Sequence, residues 1–199
     1  MTKDDIRKEI LGKRDSLTLD QQQEKSRQIF EKLITLDEYK HSRNILVYAD
    51  FGSEVKTDDI ILDSLAMGKN VYCPKVTDHE NGLMVFAKIE SLVDLELGFV
   101  GLREPNIDDL TTIFHVNDST DGDIGRTLVI LPGVAFDRNL NRIGYKGGFY
   151  DRFLEKNSAL ETVAIAYDIQ VVEYDIPCEF HDKKPQKIVT ESEIILLKF

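Results

Sequence analysis

Cysteine is scarce in this chain. Only Cys73 and Cys178 occur, with no CxxC spacing, so neither a zinc cluster nor a disulfide framework is indicated and the usage fits a reducing cytosol. The 4 histidines show no HxH or HExxH spacing, which leaves a histidine metal site without support. Positive charge is short as well: 25 Lys and Arg stand against 36 Asp and Glu, for a net charge of -11. Such a chain lacks the field needed for a nonspecific grip on nucleic acid or an anionic membrane, and any anionic ligand must be held by a local basic site. No apolar run approaches a bilayer span or a signal sequence, and the opening MTKDDIRKEILGKRDSL carries charge throughout, so a cytoplasmic location is expected. Internal repeats, low-complexity segments and Pro- or Ser-rich linkers are also missing.

What is present is ordinary for a globular protein: 199 residues, 42% hydrophobic and 31% charged. One domain over 1–199 is expected, since domains run to about 100–200 residues. Apolar positions at Ile6, Ile10 and Leu11, and again at Ile29, Phe30, Leu33 and Ile34, predict two helices in the first forty residues. Thr18 and Gln21 form a capping-box pattern at the start of the second. NILVYAD reads as a strand, TDDIILDSLAMG as a helix ending at Gly68, and NVYCPKV as another strand. Strand, helix, strand over 44–76 predicts a βαβ crossover and hence a parallel sheet covered by helices.

LMVFAKI alternates like a strand, SLVDLELGFVGLREPN reads as a loop with short elements, and 117–125 is a polar, acidic surface stretch. From TLVILPGVAFD the pattern is a buried strand, a turn at DRNLNR, a glycine stretch, a helix from Gly148 to Glu155 and the strand TVAIAYD. KIVTESEIILLKF supplies two more short strands, with Lys198 suited to a sheet edge.

The segment RIGYKGGFYDRFL, residues 142–154, combines three glycines, a lysine and the start of a helix. Gly144, Gly147 and Gly148 permit positive φ and remove Cβ atoms, so backbone N–H groups could close on a phosphate at the positive end of a helix dipole. Lys146 could add a point charge. The spacing is neither a Walker A nor a Rossmann pattern, and a mobile glycine-rich turn is the competing reading. Lys3 and Arg7 share a helix face and could clamp a polyphosphate, or could form a solvated face.

Asp151, on the nascent helix, would repel phosphate unless a divalent cation lay between; otherwise it is a first-turn aspartate favoured by the helix dipole. Asp182 could be a second carboxylate for that metal or a loop residue. Glu54 follows the first parallel strand, where ligands of open α/β sheets bind. Thr57 reads as the N-cap of the next helix, and His181 as a solvated loop histidine.

Taken in order, KDDIRKEIL, SEVKTDDII, NVYCPKV, LELGFVGLREP, LVILPGVAFDRNLNRIGYKGGFYDRFL, IAYDIQVVEYDIPCEFHD and IVTESEI resemble the 5-formyltetrahydrofolate cyclo-ligase family, also called 5,10-methenyltetrahydrofolate synthetases. The glycine block with its aromatic-aromatic-Asp ending is the most specific of these marks. The resemblance implies that ATP is bound by Lys3, Arg7, Arg142, Ile143, Gly144, Tyr145, Lys146, Gly147, Gly148, Phe149 and Tyr150. It implies that Glu54, Tyr145, Lys146, Gly147, Gly148 and Phe149 bind the folate, and that Asp151 and Asp182 hold Mg²⁺. The chain departs from the family at Lys146, where members usually have glycine; the position of Gly147 often carries glycine or lysine.

The implied reaction uses ATP to convert 5-formyltetrahydrofolate to 5,10-methenyltetrahydrofolate, with release of ADP and phosphate. It asks for positioning and charge neutralisation rather than a side-chain nucleophile, with Lys3, Arg7 and Tyr150 as candidates for that work. The implied fold is α/β, a three-layer α/β/α arrangement with a largely parallel central sheet of the NagB/RpiA/CoA-transferase-like kind. A monomer is expected, with the small-molecule folate as partner. Two rival readings are a sugar-phosphate isomerase or CoA-transferase-like enzyme, and a noncatalytic nucleotide- or metabolite-sensing module.

Overall fold

A computed structural model describes residues 1–98, 101–108, 111–116 and 126–197. The 117–125 stretch and Lys198 lie outside them. Helix α1 (Lys3–Asp15) begins with a reciprocal box between Thr2 and Asp5, and its last turn carries Lys13 and Arg14, which suits the helix dipole. Helix α2 (Leu19–Leu33) opens on the expected Thr18–Gln21 box. A short α3 (Asp37–His41) follows, too brief for any periodicity to announce it.

Strand β1 (Asn44–Val47), helix α4 (Asp58–Ala66) and strand β2 (Asn70–Asp78) form the expected crossover, with β1 and β2 parallel. Gly68 at φ +72 ends the α4 turn, as glycine beyond a helix C-terminus does. Thr57 occupies the N-cap position but makes no capping bond. Its hydroxyl accepts from Asp50 N–H at 3.1 Å, because the loop after β1 folds back and competes for it. Strand β3 (Leu83–Ile89) returns antiparallel to β2. The loop-like middle holds a small hairpin of β4 (Leu95–Leu97) and β5 (Arg103–Pro105).

The run TLVILPGVAFD, read as one strand, is two: β6 (Thr127–Leu131) and β7 (Ala135–Asp137). Pro132 has no N–H to continue the ladder, and a Cβ on Gly133 would come within 2.3 Å of the Phe136 ring, so the chain bends there. Strand β8 (Arg142–Ile143) pairs antiparallel with β7 across the DRNLNR turn. Buried Asp137 holds that turn, its Oδ1 accepting from the N–H groups of Asn139 and Asn141, both at 2.9 Å. Helix α5 (Phe149–Lys156), strand β9 (Glu161–Ile165), strand β10 (Val171–Val172), strand β11 (Lys187–Val189) and strand β12 (Ile194–Leu196) complete the chain.

The main sheet runs β12-β11-β9-β6-β1-β2-β3. Its five inner strands are parallel and both edges are antiparallel. Alternation divides the core. Ile45, Val47, Leu128, Ile130, Val163 and Ile165 pack under α2, α3 and α4, while Leu46, Val129, Leu131 and Ala164 face α5 through Leu154. Among the described residues the second outer layer therefore has one helix, completed by loop and short-strand residues such as Phe114, Phe136 and Leu140. A separate cluster seats Ile6 and Ile10 of α1 on Val134, Ala135, Ile143 and Val172, beside the small β10-β7-β8 sheet. That seat carries α1 to the end of the main sheet where β1 and β6 finish.

Candidate active site

Past the C-terminal ends of β1 and β6 lies a cleft of about 920 Å³. Open parallel sheets bind ligands at this edge because neighbouring loops diverge there. Lys3 and Arg7 reach it from α1, Glu54 from the loop after β1, and Arg142, Ile143 and Gly144 from β8 and the turn that follows. Tyr145, Lys146, Gly148, Phe149 and Tyr150 continue the wall, and Asp151 and Asp182 close it. Gly147 does not line the cleft. Gly147 is exposed, and a Cβ there would meet the Phe149 ring at 2.5 Å.

At the basic end, Arg7 Nε donates to the Gly144 carbonyl at 2.8 Å, which fixes the helix to the glycine loop. Arg7 also pairs with Asp4. Lys3 Nζ donates to Asp182 at 2.6 Å and Glu179 at 3.3 Å. Burial opposes the Lys3 charge, but those two carboxylates outweigh it and raise its pKa. His181 stands half-exposed beside Glu179. Lys146 is 68% exposed and pairs with Asp4 at 3.4 Å. Its φ is +129, followed by +84 at Gly147 and +64 at Gly148. A side chain is strained in such a conformation, which explains physically why glycine suits the position of Lys146. Gly148 caps α5 without a side-chain acceptor, so the first-turn N–H groups stand ready for an anion.

Arg142 is 5% exposed on its side chain and donates to Asp151 Oδ1 at 2.8 Å. The N–H of Lys183 donates to the same oxygen at 3.0 Å, so the residue after Asp182 rests on Asp151. Folding thus brings Asp151 against the backbone next to Asp182, and both line the same cleft. Among the described residues, the hydrogen bonds to these aspartates fall on Asp151 Oδ1 and Asp182 Oδ2, leaving the other oxygen of each without one. Arg142 Nε and the Tyr150 hydroxyl are buried with no partner. Burial also pushes the Tyr150 phenol well above its ordinary range.

Glu54 is 7% exposed and sits in a turn where its Oε2 accepts from Phe51 N–H at 2.9 Å. Burial pushes its pKa up to about 7; the Phe51 N–H, Arg14 and the Tyr145 hydroxyl oppose the rise, and Asp50 adds to it. Tyr145 is itself pushed up to about 12, by burial and then by Glu54. Sequence reading missed Arg14, a buried residue on α1 whose guanidinium reaches Tyr145. The signal was its spacing: seven residues after Arg7, it falls on the same helix face. Also missed were Arg152 and Arg103, both lining the cleft.

Residues 1–191 match the 5-formyltetrahydrofolate cyclo-ligase family. The chain is 30% identical to the 5-formyltetrahydrofolate cyclo-ligase of Haemophilus influenzae, over 89% of this chain and 91% of that one. It is 29% identical to the Escherichia coli protein of that name, over 93% and 98%. The solved 5,10-methenyltetrahydrofolate synthetase of Aquifex aeolicus superposes with a TM-score of 0.82 at 27% identity, covering 100% of this chain and 94% of that one. With both ends of the cleft built from the marks that first suggested it, the chain belongs to the 5-formyltetrahydrofolate cyclo-ligase family.

Proposed function

We propose that this protein uses ATP to cyclise 5-formyltetrahydrofolate to 5,10-methenyltetrahydrofolate, releasing ADP and phosphate. The observation that carries the reading is one cleft with a cationic, glycine-lined end at Lys3, Arg7 and Gly144 and a buried carboxyl, Glu54, in its wall. The family relatives favour it over the isomerase and sensor readings.

The chemical difficulty is that a formamide oxygen leaves poorly. Its attack on the γ-phosphorus displaces ADP and gives an imidate phosphate. N10 then attacks the formyl carbon, the C–O bond breaks, phosphate departs with that oxygen, and N10 loses its proton. The protein's share is placement and charge neutralisation. Lys3 and Arg7 lie where a polyphosphate would run along Gly144 and the α5 N-terminus. Glu54 offers carboxylate oxygens to the N–H groups of the reduced pterin. Arg142 Nε and the Tyr150 hydroxyl are buried donors that a bound substrate oxygen would satisfy.

Asp151 and Asp182 fit Mg²⁺ by chemistry, since that ion takes one or two carboxylates and completes its shell with phosphate oxygens and water. Among the described residues no larger cluster of metal-ligating side chains exists. When bound, the ion would supply charge neutralisation at the phosphates.

The test follows the ultraviolet absorbance of the methenyl product with purified protein, with and without ATP and Mg²⁺. Product that requires ATP supports the assignment. Product formed equally without ATP, or none from folded protein, rejects it.

A further inference from the structure

Arg14 has no part in the roles assigned above, yet it is placed more firmly than any of them requires. It is 2% exposed, and among the described residues it forms no ion pair. Its Nε donates to Ser53 Oγ at 2.9 Å, its Nη1 to the Gly133 carbonyl at 3.5 Å and its Nη2 to the Tyr145 hydroxyl. Ser53 precedes Glu54, Gly133 opens the bend after β6, and Tyr145 belongs to the glycine loop. One side chain therefore ties three walls of the cleft together.

Burying a guanidinium without a direct counter-charge is costly, and the cost falls only if a negative group lies close enough to feel it. The groups that face the Glu54 carboxyl are Arg14 from α1, Asp50 and the Phe51 N–H from the loop after β1, and Tyr145 from the glycine loop. Arg14 is the one full positive charge in that set. The Tyr145 hydroxyl stands between the two, accepting from Arg14 and lowering the pKa of Glu54. Tyr48 and Tyr150, deeper in the cleft, feel the Glu54 charge in turn.

Resting on the reading that Glu54 binds the reduced folate, we propose that Arg14 is a positioning residue for that half of the cleft. Through Tyr145 and Ser53 it holds the Glu54 turn in one arrangement, and its charge keeps the carboxylate ionised to accept the substrate's N–H groups. The bonds that hold the nucleotide end, Arg7 to the Gly144 carbonyl and Lys3 to Asp182, do not involve Arg14.

Two measurements test this. The first needs no substrate: ¹³C NMR titration of the Glu54 carboxyl, assigned with Glu54→Gln, in wild type, Arg14→Gln and Arg14→Lys. The midpoint should move upward in Arg14→Gln and return toward wild type in Arg14→Lys, which restores charge without the fork. A midpoint unmoved in Arg14→Gln overturns the proposal, whatever the protein's substrate.

The second is steady-state kinetics. Arg14→Gln should raise the KM for 5-formyltetrahydrofolate about tenfold or more while the KM for ATP stays within about twofold. The acid limb of the folate KM should move to higher pH. Equal rises in both KM values, with no movement of the acid limb, reduce Arg14 to a general structural part and sink the idea. Should Arg14→Gln fail to fold, Tyr145→Phe replaces it, removing only the intervening hydroxyl. A raised Glu54 midpoint and folate KM at unchanged Tm then support the proposal, and wild-type values for both refute it. A wild-type protein that forms no methenyl product removes the folate reading but leaves the titration result standing.

Discussion

Replacing Glu54 by Gln should make the protein more stable at neutral pH and a poorer enzyme together. The Glu54 carboxyl lies 7% exposed, and burial displaces its pKa from 4.5 to about 7. Between those values the folded protein keeps a proton that the unfolded chain has released, so stability falls as pH rises through this window. At about 1.4 kcal/mol per pH unit, the displacement amounts to about 3 kcal/mol, reached near pH 7 and constant above it. Gln stays neutral throughout, and its Oε1 can still accept the 2.9 Å bond from Phe51 N–H. Urea denaturation of both proteins at pH 5, 6, 7 and 8 reads the difference, and every other titrating group cancels in it. The variant should gain less than about 1 kcal/mol at pH 5 and about 3 kcal/mol at pH 8. Its KM for 5-formyltetrahydrofolate should rise over the same range where the wild-type carboxylate is charged. A stability difference independent of pH, or a wild type more stable at pH 8, refutes the account of Glu54 as a strained acid kept for binding.

Three further outcomes are expected. Arg7→Ala should raise the KM for ATP about tenfold by removing a charged donor, with the folate KM little changed; an unaltered ATP value would confine Arg7 to holding Gly144. Asp151→Asn keeps an acceptor for Arg142 but removes its direct counter-charge, so Tm should fall while the Mg²⁺ concentration for half-maximal rate rises about tenfold; an unchanged Mg²⁺ dependence in the folded variant removes the metal role. Ile29→Ala, under the sheet face opposite α5, should cost about 2–5 kcal/mol in urea denaturation and leave both KM values in place, which separates core stability from site geometry.

The parts of this fold legible in the sequence are those with a period long enough to repeat. Helices α1 and α2 carry apolar residues over several turns, and β1, α4 and β2 fall in an order that only a crossover satisfies. Helix α3 and strands β7, β8 and β10 have five residues or fewer and no repeat to detect. They are set by tertiary contacts such as the Asp137 bonds that shape the turn before Arg142. Within the site, the glycine block stood out through its aromatic-aromatic-Asp ending and its order among the other motifs, since a mobile turn competed on composition alone, and the structure places it along the cleft wall. Asp151 and Asp182 were linked in the sequence as candidates for one metal, but nothing there showed that they share a cleft, since that depends on Lys183 N–H finding Asp151 across a chain reversal. Arg14 went unread in the sequence, because the groups that enclose it arrive from positions 53, 133 and 145.

The acidity of the chain and the basicity of its cleft are reconciled by pairing. Lys3 is held by Asp182, Arg7 and Lys146 by Asp4, and Arg142 by Asp151, so cations at the proposed nucleotide end rest beside a carboxylate. Each pair keeps a positive group ordered at little net charge, and a polyphosphate arriving there must compete with the resident acid. Arg14 and Glu54 are arranged differently. Their charges act on each other across the Tyr145 hydroxyl rather than through a direct ion pair, so a neutral heterocycle can bond to the carboxylate without breaking a salt bridge first. Helix α1 spans both arrangements, with Lys3, Arg7 and Arg14 along one side and Ile6 and Ile10 seated on the small sheet. The two halves of the cleft are thereby held in fixed relation by a single rigid element, which is what the proposed phosphoryl transfer between two bound molecules would demand.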